Sequence, residues 1–153
     1  MKEYIRWPLI IIMIFVVVAL FQWAKSVHLY EVLEVYDGDT ILISDGRKIR
    51  LIGVDAPEVE SPYGHGEPFG IESKRYLSDL ILHKKISLRV GDTPLDKYGR
   101  TLAYVYVGDV LVNGRIIRDG WARAYLRFDY ENKDLFTVYE KEAKAKGIGM
   151  WKD

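Results

Sequence analysis

Residues 27–54 read VHLYEVLEVYDGDTILISDGRKIRLIGV and contain three strand-like runs separated by two Asp-Gly turns. The runs are Val27–Tyr36, Ile41–Ser44 and Arg47–Val54, and each is rich in β-branched or alternating apolar residues. An Asp-Gly pair between two such runs is a strong signal for a β-hairpin. This stretch therefore predicts an antiparallel meander of three strands.

The remainder of the chain alternates helical and extended patterns around this meander. Three prolines and two glycines predict a loop from Pro57 to Pro68. The elements expected after it are a helix over Phe69–His83, a strand over Lys85–Val90, a loop over Gly91–Gly99, a strand over Arg100–Val107, a helix over Val112–Asp119 capped by Asn113, a short extended run over Trp121–Leu126 and a helix over Tyr130–Lys146. The predicted fold is α+β: a five-stranded OB-type β-barrel with about three helices, preceded by a single hydrophobic N-terminal helix.

The N-terminal segment is apolar from Trp7 to Phe21, and the 18 residues from Trp7 to Ala24 would span about 27 Å as a helix. Lys2 and Arg6 favour a cytoplasmic N-terminus. We expect a membrane anchor with the following domain outside the cytoplasm. The alternative is a signal peptide cleaved near Ser26, which would give a secreted protein. The predicted domains are therefore residues 1–26, anchor or signal peptide, and residues 27–153, a single OB-fold domain.

Composition restricts the chemistry. The chain of 153 residues has no cysteine, which excludes disulfides, thiolate metal sites and thiol catalysis. Its 22 basic residues balance 22 acidic ones, and because residues 1–26 hold three basic and one acidic residue, the domain carries 19 minus 21, or −2. Proteins that coat nucleic acid by general electrostatics are usually basic. A polyanionic partner would need local positive charge or a metal ion here.

Two aspartates lie where neighbouring strands of the meander should meet. Asp39 belongs to the turn Asp37-Gly38-Asp39-Thr40, and Asp55 follows the third strand. A carboxylate pair of this kind can bind Ca²⁺, which takes oxygen ligands and retains water. When the first motif is considered alone, ordinary turn chemistry is the favoured explanation.

Two arginines and a glutamate complete a candidate catalytic set. Arg50 should share a strand face with Ile52 and Val54, towards the core, and Arg100 begins a later strand. Two guanidinium groups could bind the oxygens of a phosphodiester, and Glu58 could act as general base towards water. Each residue also has a structural alternative. Arg50 could pair with a carboxylate at the barrel end, Arg100 could be a solvated surface residue, and Glu58 could be an exposed loop residue.

Four short motifs, in this order and spacing, resemble the staphylococcal nuclease (thermonuclease) family over about residues 30–151. They are Asp37-Gly38-Asp39-Thr40, Arg50-Leu51-Ile52-Gly53-Val54-Asp55-Ala56-Pro57-Glu58, Asp96-Lys97-Tyr98-Gly99-Arg100 and Leu102-Ala103-Tyr104-Val105. The resemblance implies that Ca²⁺ is bound by Asp39, Asp55 and the carbonyl of Ala56. It implies that Arg50 and Arg100 hold the scissile phosphate, that Glu58 serves the attacking water, and that Lys97, Tyr98 and Tyr125 contact the substrate.

The function implied is a calcium-dependent nuclease that hydrolyses DNA, with RNA as a second candidate substrate, shows little sequence preference, leaves 3′-phosphate ends and acts as a monomer. Two features depart from the family's best-known member. Ala56 replaces a threonine, and the loop over Val59–Phe69 is acidic rather than lysine-rich, which predicts weaker substrate affinity. The alternative functions are a noncatalytic, membrane-tethered OB-fold module that binds nucleic acid or oligosaccharide, and a structural adaptor.

Overall fold

The computed structural model describes residues 6–24, 28–60 and 64–152. The first helix, α1, spans Arg6–Ala24, so the expected N-terminal helix is present. The described part of the chain contains no helix with the length and hydropathy needed to cross a membrane. The boundary between residues 26 and 27, with the candidate cleavage position after Ser26, lies outside the described residues.

The predicted meander is confirmed. Strands β1 (Leu29–Val35), β2 (Thr40–Ile43) and β3 (Lys48–Leu51) are antiparallel neighbours. In the β2–β3 register Thr40 lies opposite Arg50, and on the other edge of β2 Ile41 lies opposite Val35. The turn that carries Asp39 is therefore held against the strand that carries Arg50.

The third strand is shorter than predicted, because the chain turns at Ile52 and Gly53 before the two-residue strand β4 (Val54–Asp55). Gly53 has a φ of +75°, and a Cβ there would lie 2.5 Å from Cε2 of Tyr130, so both backbone conformation and space require glycine. The turn also breaks the alternation of faces. Ile49 and Leu51 are buried, and Arg50 lies on the opposite face of β3, so the expectation that Arg50 points into the core is wrong.

One curled sheet brings these strands together with the second half of the chain. Strands β5 (Lys85–Leu95), β6 (Thr101–Val107) and β7 (Val110–Leu111) give the order β3-β2-β1-β5-β6-β7, and β3 also pairs in parallel with β6. The loop predicted over Gly91–Gly99 is partly wrong, because β5 continues to Leu95 by pairing with Thr101. A separate two-stranded sheet joins β4 to β8 (Arg123–Ala124).

Three helices follow α1, as predicted: α2 (Gly70–Ile81), α3 (Val112–Arg118) and α4 (Lys133–Lys146), followed by a 3₁₀ turn over Gly149–Trp151. Helix α2 contacts β1, α3 contacts β6, and α4 packs on α3 and β8. Gly147 ends α4 in the left-handed conformation, as expected of a C-terminal glycine. The core between helices and sheet is mainly aliphatic and also contains Phe136 and Tyr104; its largest fully buried side chains include Ile41, Ile43, Ile49, Leu51, Leu77, Ile81, Ile86, Ile116 and Ile117.

Asn113 has a different role from the predicted helix cap. The helix begins after Leu111 without a side-chain cap, and Asn113 is fully buried. Its amide oxygen accepts a hydrogen bond from the Val105 N–H at 2.8 Å, and its amide nitrogen donates to the carbonyls of Ile52 at 2.9 Å and Ala103 at 3.1 Å. Asn113 therefore ties α3 to β6 and to the turn that ends β3.

Candidate active site

The turn between β1 and β2 is packed tightly against the rest of the domain. The Asp39 N–H donates to Oδ1 of Asp37 at 2.9 Å, which closes the turn. A Cβ on Gly38 would lie 2.0 Å from Oγ of Ser73 and 2.5 Å from Cβ of Ala56. Glycine at this position therefore allows α2 and the chain after β4 to approach the turn and fixes the position of Asp39.

Asp39 is buried and forms contacts with three neighbours. Its Oδ2 accepts the Ala56 N–H at 2.9 Å and lies 3.1 Å from Nη2 of Arg50, while Oδ1 accepts the Thr40 hydroxyl at 3.0 Å. Burial raises the pKa of Asp39 to about 7, although Arg50 acts in the opposite direction. The contact with Ala56 N–H places the Asp39 carboxylate beside the peptide that joins Asp55 to Ala56.

Arg50 is held by three acceptors. Besides the ion pair with Asp39, its Nη1 donates to the carbonyls of Val54 at 2.7 Å and Leu51 at 3.2 Å. The side chain is 17% exposed, so it lies at the edge of the site rather than in bulk solvent. The guanidinium edge formed by Nε and Nη2 keeps hydrogens that these contacts do not use.

Arg100 is positioned by the turn that connects β5 to β6. The carboxylate of Asp96 accepts two hydrogen bonds from Arg100: Oδ1 from the main-chain N–H at 3.0 Å and Oδ2 from the Nε–H at 2.8 Å. The Nη1 of Arg100 donates to Oγ1 of Thr40 at 3.2 Å, and its guanidinium carbon lies 5.4 Å from the ring centroid of Tyr98. Thr40 thus connects Arg100 to Asp39, a link that the spacing of the sequence did not reveal.

Glu58 is exposed, and its main-chain carbonyl accepts the Glu67 N–H at 2.8 Å. Loss of water around the carboxylate raises the pKa of Glu58, and the negative charge of Asp37 raises it further, while Arg50 lowers it. A carboxylate with a raised pKa is a stronger base than an ordinary glutamate.

Two of the predicted metal ligands, Asp39 and Ala56, are in contact through the Ala56 N–H. Asp55 in β4 lies opposite Arg123 in β8 and directly precedes Ala56, whose N–H contacts Asp39. Within the described ranges, no group of three or more His, Cys, Asp or Glu residues could hold a metal ion. Two carboxylates and a carbonyl nevertheless suit a hard cation that retains water. The donor set therefore fits a divalent cation such as Ca²⁺.

A cavity of about 190 Å³ adjoins the two arginines. Its lining includes the predicted substrate residues Lys97, Tyr98 and Tyr125, together with Arg50 and Arg100. Tyr98 is 70% exposed, and the N–H of Tyr125 donates to the Gly53 carbonyl at 3.0 Å. The lining does not include Glu58, Asp39 or Asp55.

Sequence reasoning missed Phe128, which lines the cavity with its ring 5.0 Å from that of Tyr125. It also missed the positioning roles of Thr40 and Asp96, although both lie inside the quoted motifs. An aromatic residue three positions after Tyr125 was the available signal for Phe128.

The sequence also matches known proteins. The family model described as staphylococcal nuclease homologue matches residues 48–153. A thermonuclease of Staphylococcus intermedius is 37% identical over 129 residues, covering 80% of this chain and 75% of the relative. A thermonuclease of Staphylococcus hyicus is 34% identical over 126 residues, with 80% and 75% covered. An endonuclease of Bacillus subtilis is 36% identical over 122 residues, with 75% of this chain and 57% of the relative covered.

Proposed function

The chain belongs to the staphylococcal nuclease family, as a nuclease that hydrolyses phosphodiester bonds, and from this membership we propose a calcium-dependent enzyme that cuts DNA with little sequence preference. RNA is the second candidate substrate, and the cleaved strand would carry a 3′-phosphate. The observation that carries the proposal is the convergence of Arg50 and Arg100 on one cavity, with Thr40 linking Arg100 to the carboxylate that pairs with Arg50.

Arg50 and Arg100 would bind the non-bridging oxygens of the scissile phosphate. Each guanidinium is held by acceptors on the protein, and each retains N–H groups that can form short, charge-assisted hydrogen bonds. Negative charge on these oxygens grows as the phosphate is attacked, so donors fixed in advance stabilise the transition state more than the ground state.

Glu58 would accept the proton of the attacking water. The water oxygen forms a bond to phosphorus while the bond from phosphorus to the 5′-oxygen breaks, and the electron pair of that bond stays on the leaving oxygen. The raised pKa of Glu58 suits this role, because a general base works best when its pKa approaches the working pH.

Asp39, Asp55 and the Ala56 carbonyl would hold Ca²⁺, which would contribute positive charge next to the phosphate when bound. Support for this assignment is the all-oxygen donor set and the hydrogen bond that holds the Asp39 carboxylate beside the Asp55–Ala56 peptide. Lys97, Tyr98 and Tyr125 would bind the nucleotide next to the cleaved bond, the tyrosines by stacking on bases. Glu60 and Glu67 add negative charge to the loop after Glu58, which would weaken substrate affinity.

The alternative is a binding module that holds nucleic acid or oligosaccharide in the same cavity without cutting it. Incubation of the purified full chain with plasmid and Ca²⁺ separates the two. Degradation that stops when Ca²⁺ is chelated supports the proposed enzyme, and end-group analysis then tests for 3′-phosphates. A gel shift without degradation supports the binding module. The absence of both degradation and a gel shift supports a structural adaptor.

We also propose that residues 1–26 direct the domain, residues 27–153, out of the cytoplasm, as an anchor or as a signal peptide cleaved near Ser26. Its support is the apolar sequence from Trp7 to Phe21 beside Lys2 and Arg6. Mass spectrometry of the native N-terminus distinguishes anchor from cleaved signal.

The ring of pairings from β3 through β2, β1, β5 and β6 back to β3 supports a five-stranded OB-type barrel. We propose that the protein acts as a monomer.

A further inference from the structure

A second depression, of about 460 Å³, is lined by residues of β1, β5 and β6 and by Arg47 in the turn after β2. We call it the tyrosine–arginine face and define it by Tyr30, Arg47, Arg89, Tyr104 and Tyr106. Four of these residues line the depression, and Tyr104 lies beneath Arg89. The catalytic and metal-binding assignments above use none of them.

Two arginines each lie over a tyrosine ring around this depression: Arg47 over Tyr30, and Arg89 over Tyr104 on the other side of the sheet. The guanidinium carbon of Arg47 lies 4.9 Å from the ring centroid of Tyr30, and that of Arg89 lies 4.6 Å from the ring centroid of Tyr104. His28 adds a further ring, 6.3 Å from that of Tyr30. Aromatic rings and guanidinium planes on a charged surface are the groups on which proteins stack the bases of single-stranded nucleic acid.

The charge of the face also suits a polyanion. Among the described residues, its lining contains two arginines and no carboxylate. The partners of these arginines, Asp45 for Arg47 and Glu131 for Arg89, lie outside the lining. Exposed ion pairs of this kind contribute little free energy, so a phosphate can compete with either carboxylate for its guanidinium.

The face continues towards the active site through a smaller depression of about 120 Å³. That depression shares Arg89 and Tyr104 with the face and shares Ile52, Leu102 and Phe128 with the active-site cavity. Its lining also includes three acidic residues, Asp92, Asp129 and Glu131, which would repel phosphates. The tyrosine–arginine face is therefore separated from the catalytic cavity by an acidic gap, and only a substrate long enough to cross this gap can contact both.

We propose that the tyrosine–arginine face is a second binding surface for single-stranded nucleic acid, which holds the part of a long substrate that lies outside the active-site cavity. The proposal rests on the proposed function for its role in cleavage, but binding to the face can be measured without any cleavage. A short oligonucleotide fills only the active-site cavity, whereas a long one also reaches Arg47 and Arg89.

The test measures affinity of the full chain for fluorescent oligothymidylates of about four and about sixteen nucleotides, lengths within the range that OB folds bind. Fluorescence anisotropy is recorded with a chelator present, so that cleavage does not occur. The face variant carries Arg47→Ala and Arg89→Ala. The matched control carries Arg118→Ala and Lys146→Ala, which also removes two exposed, ion-paired positive charges.

We expect the face variant to bind the longer oligonucleotide at least about tenfold more weakly, because stacking on arginine and aromatic groups is lost. Its plot of log affinity against log salt should lose about 1.4 of slope, or about 0.7 for each phosphate contact removed. Affinity for the shorter oligonucleotide, and both affinities of the control variant, should stay within about twofold of wild type. The variant Arg47→Lys with Arg89→Lys should keep the salt slope but bind more weakly, since lysine retains charge without a planar group.

Three outcomes would overturn the proposal: no binding of the longer oligonucleotide by wild type, equal losses for both lengths, or equal losses in the control. A fourth is unchanged oligonucleotide affinity with lost binding to phosphatidylserine vesicles, which would make the face a membrane contact. Thermal unfolding of each variant shows whether the fold is retained. If the alanine variant is unfolded, the affinity and salt slope of the lysine variant test the proposal instead. Wild-type protein that binds the longer oligonucleotide but does not cut it with Ca²⁺ contradicts the proposed nuclease and leaves this inference standing.

Discussion

The Nη2 atom of Arg50 lies 3.1 Å from Oδ2 of Asp39, so the candidate phosphate clamp and a candidate metal ligand are in direct contact. The contact follows from the β2–β3 register, which places Thr40, the residue after Asp39, opposite Arg50. Carbonyls of Val54 and Leu51 hold the other side of the guanidinium. Arg50 is thereby fixed before any substrate arrives.

Replacement of Arg50 by lysine should lower kcat by at least about 10²-fold, the range found when one preorganised transition-state donor is lost. Lysine keeps the charge but cannot form a bidentate hydrogen bond to the phosphate. It also cannot reach the Leu51 and Val54 carbonyls and the Asp39 carboxylate at once. Steady-state cleavage of a synthetic DNA substrate measures the effect. Arg118→Lys, on α3, is the matched control, and a comparable loss there would show that the effect is not specific to the site.

Thr40→Val should lower kcat about tenfold with little change in KM, because the valine keeps the shape but removes the hydroxyl between Asp39 and Arg100. Thr40→Ser retains both hydrogen bonds and should restore kcat to within about twofold of wild type. Equal losses in the valine and serine variants would refute a positioning role for the hydroxyl. Thermal unfolding of both variants checks that the fold is intact.

Asp96 should stabilise the domain in a pH-dependent manner. Burial acts to raise the pKa of Asp96, but hydrogen bonds from the main chain and guanidinium of Arg100 outweigh it and hold the pKa below its ordinary value. Asp96 therefore binds a proton less readily in the folded chain than in the unfolded chain. Its stabilising contribution is fully present above about pH 4 and is lost as the pH falls further.

Urea denaturation of wild type and Asp96→Asn at several pH values tests this linkage. We expect the variant to be about 2 kcal/mol less stable at pH 7, as for charge-assisted hydrogen bonds, and the difference to shrink towards zero as the pH falls below about 3. A difference that does not change with pH would contradict it.

Asn113→Ala should lower the free energy of unfolding by about 3 kcal/mol or more, because it leaves the Val105 N–H and two buried carbonyls without their partner. The exposed residue Lys141 on α4 supplies a control, since Lys141→Ala should change stability by less than about 0.5 kcal/mol. Chemical denaturation measures both. A small loss for Asn113→Ala would mean that water or a backbone shift satisfies these groups.

Local patterns were sufficient to predict the elements that depend on neighbouring residues. The two Asp-Gly turns predicted the meander, and Gly147 predicted the end of α4, because hairpin and C-cap geometry are set within a few residues. The motifs around Asp39, Arg50 and Arg100 predicted which residues converge.

The errors came from long-range contacts. The contact of Gly53 with Tyr130 accompanies the turn that ends β3, so Ile52 and Val54 do not continue the strand face of Arg50, and no local pattern reports a residue 77 positions away. Pairing with β6 extends β5 to Leu95 through a stretch whose proline and glycine indicate a loop. Asn113 has the composition of a helix cap, and only the packing of α3 against β6 makes it a buried tether.

The central claim, that this site cuts phosphodiester bonds with Glu58 as base and Arg100 as phosphate ligand, is tested most directly by kcat for DNA cleavage with Ca²⁺. The comparison uses wild type, Glu58→Gln, Arg100→Ala and two matched controls, Glu60→Gln and Arg118→Ala. We expect Glu58→Gln and Arg100→Ala each to lose at least about 10²-fold in kcat, both controls to stay within about twofold, and chelation of Ca²⁺ to abolish cleavage by wild type. Undiminished cleavage by Glu58→Gln and Arg100→Ala would contradict the account.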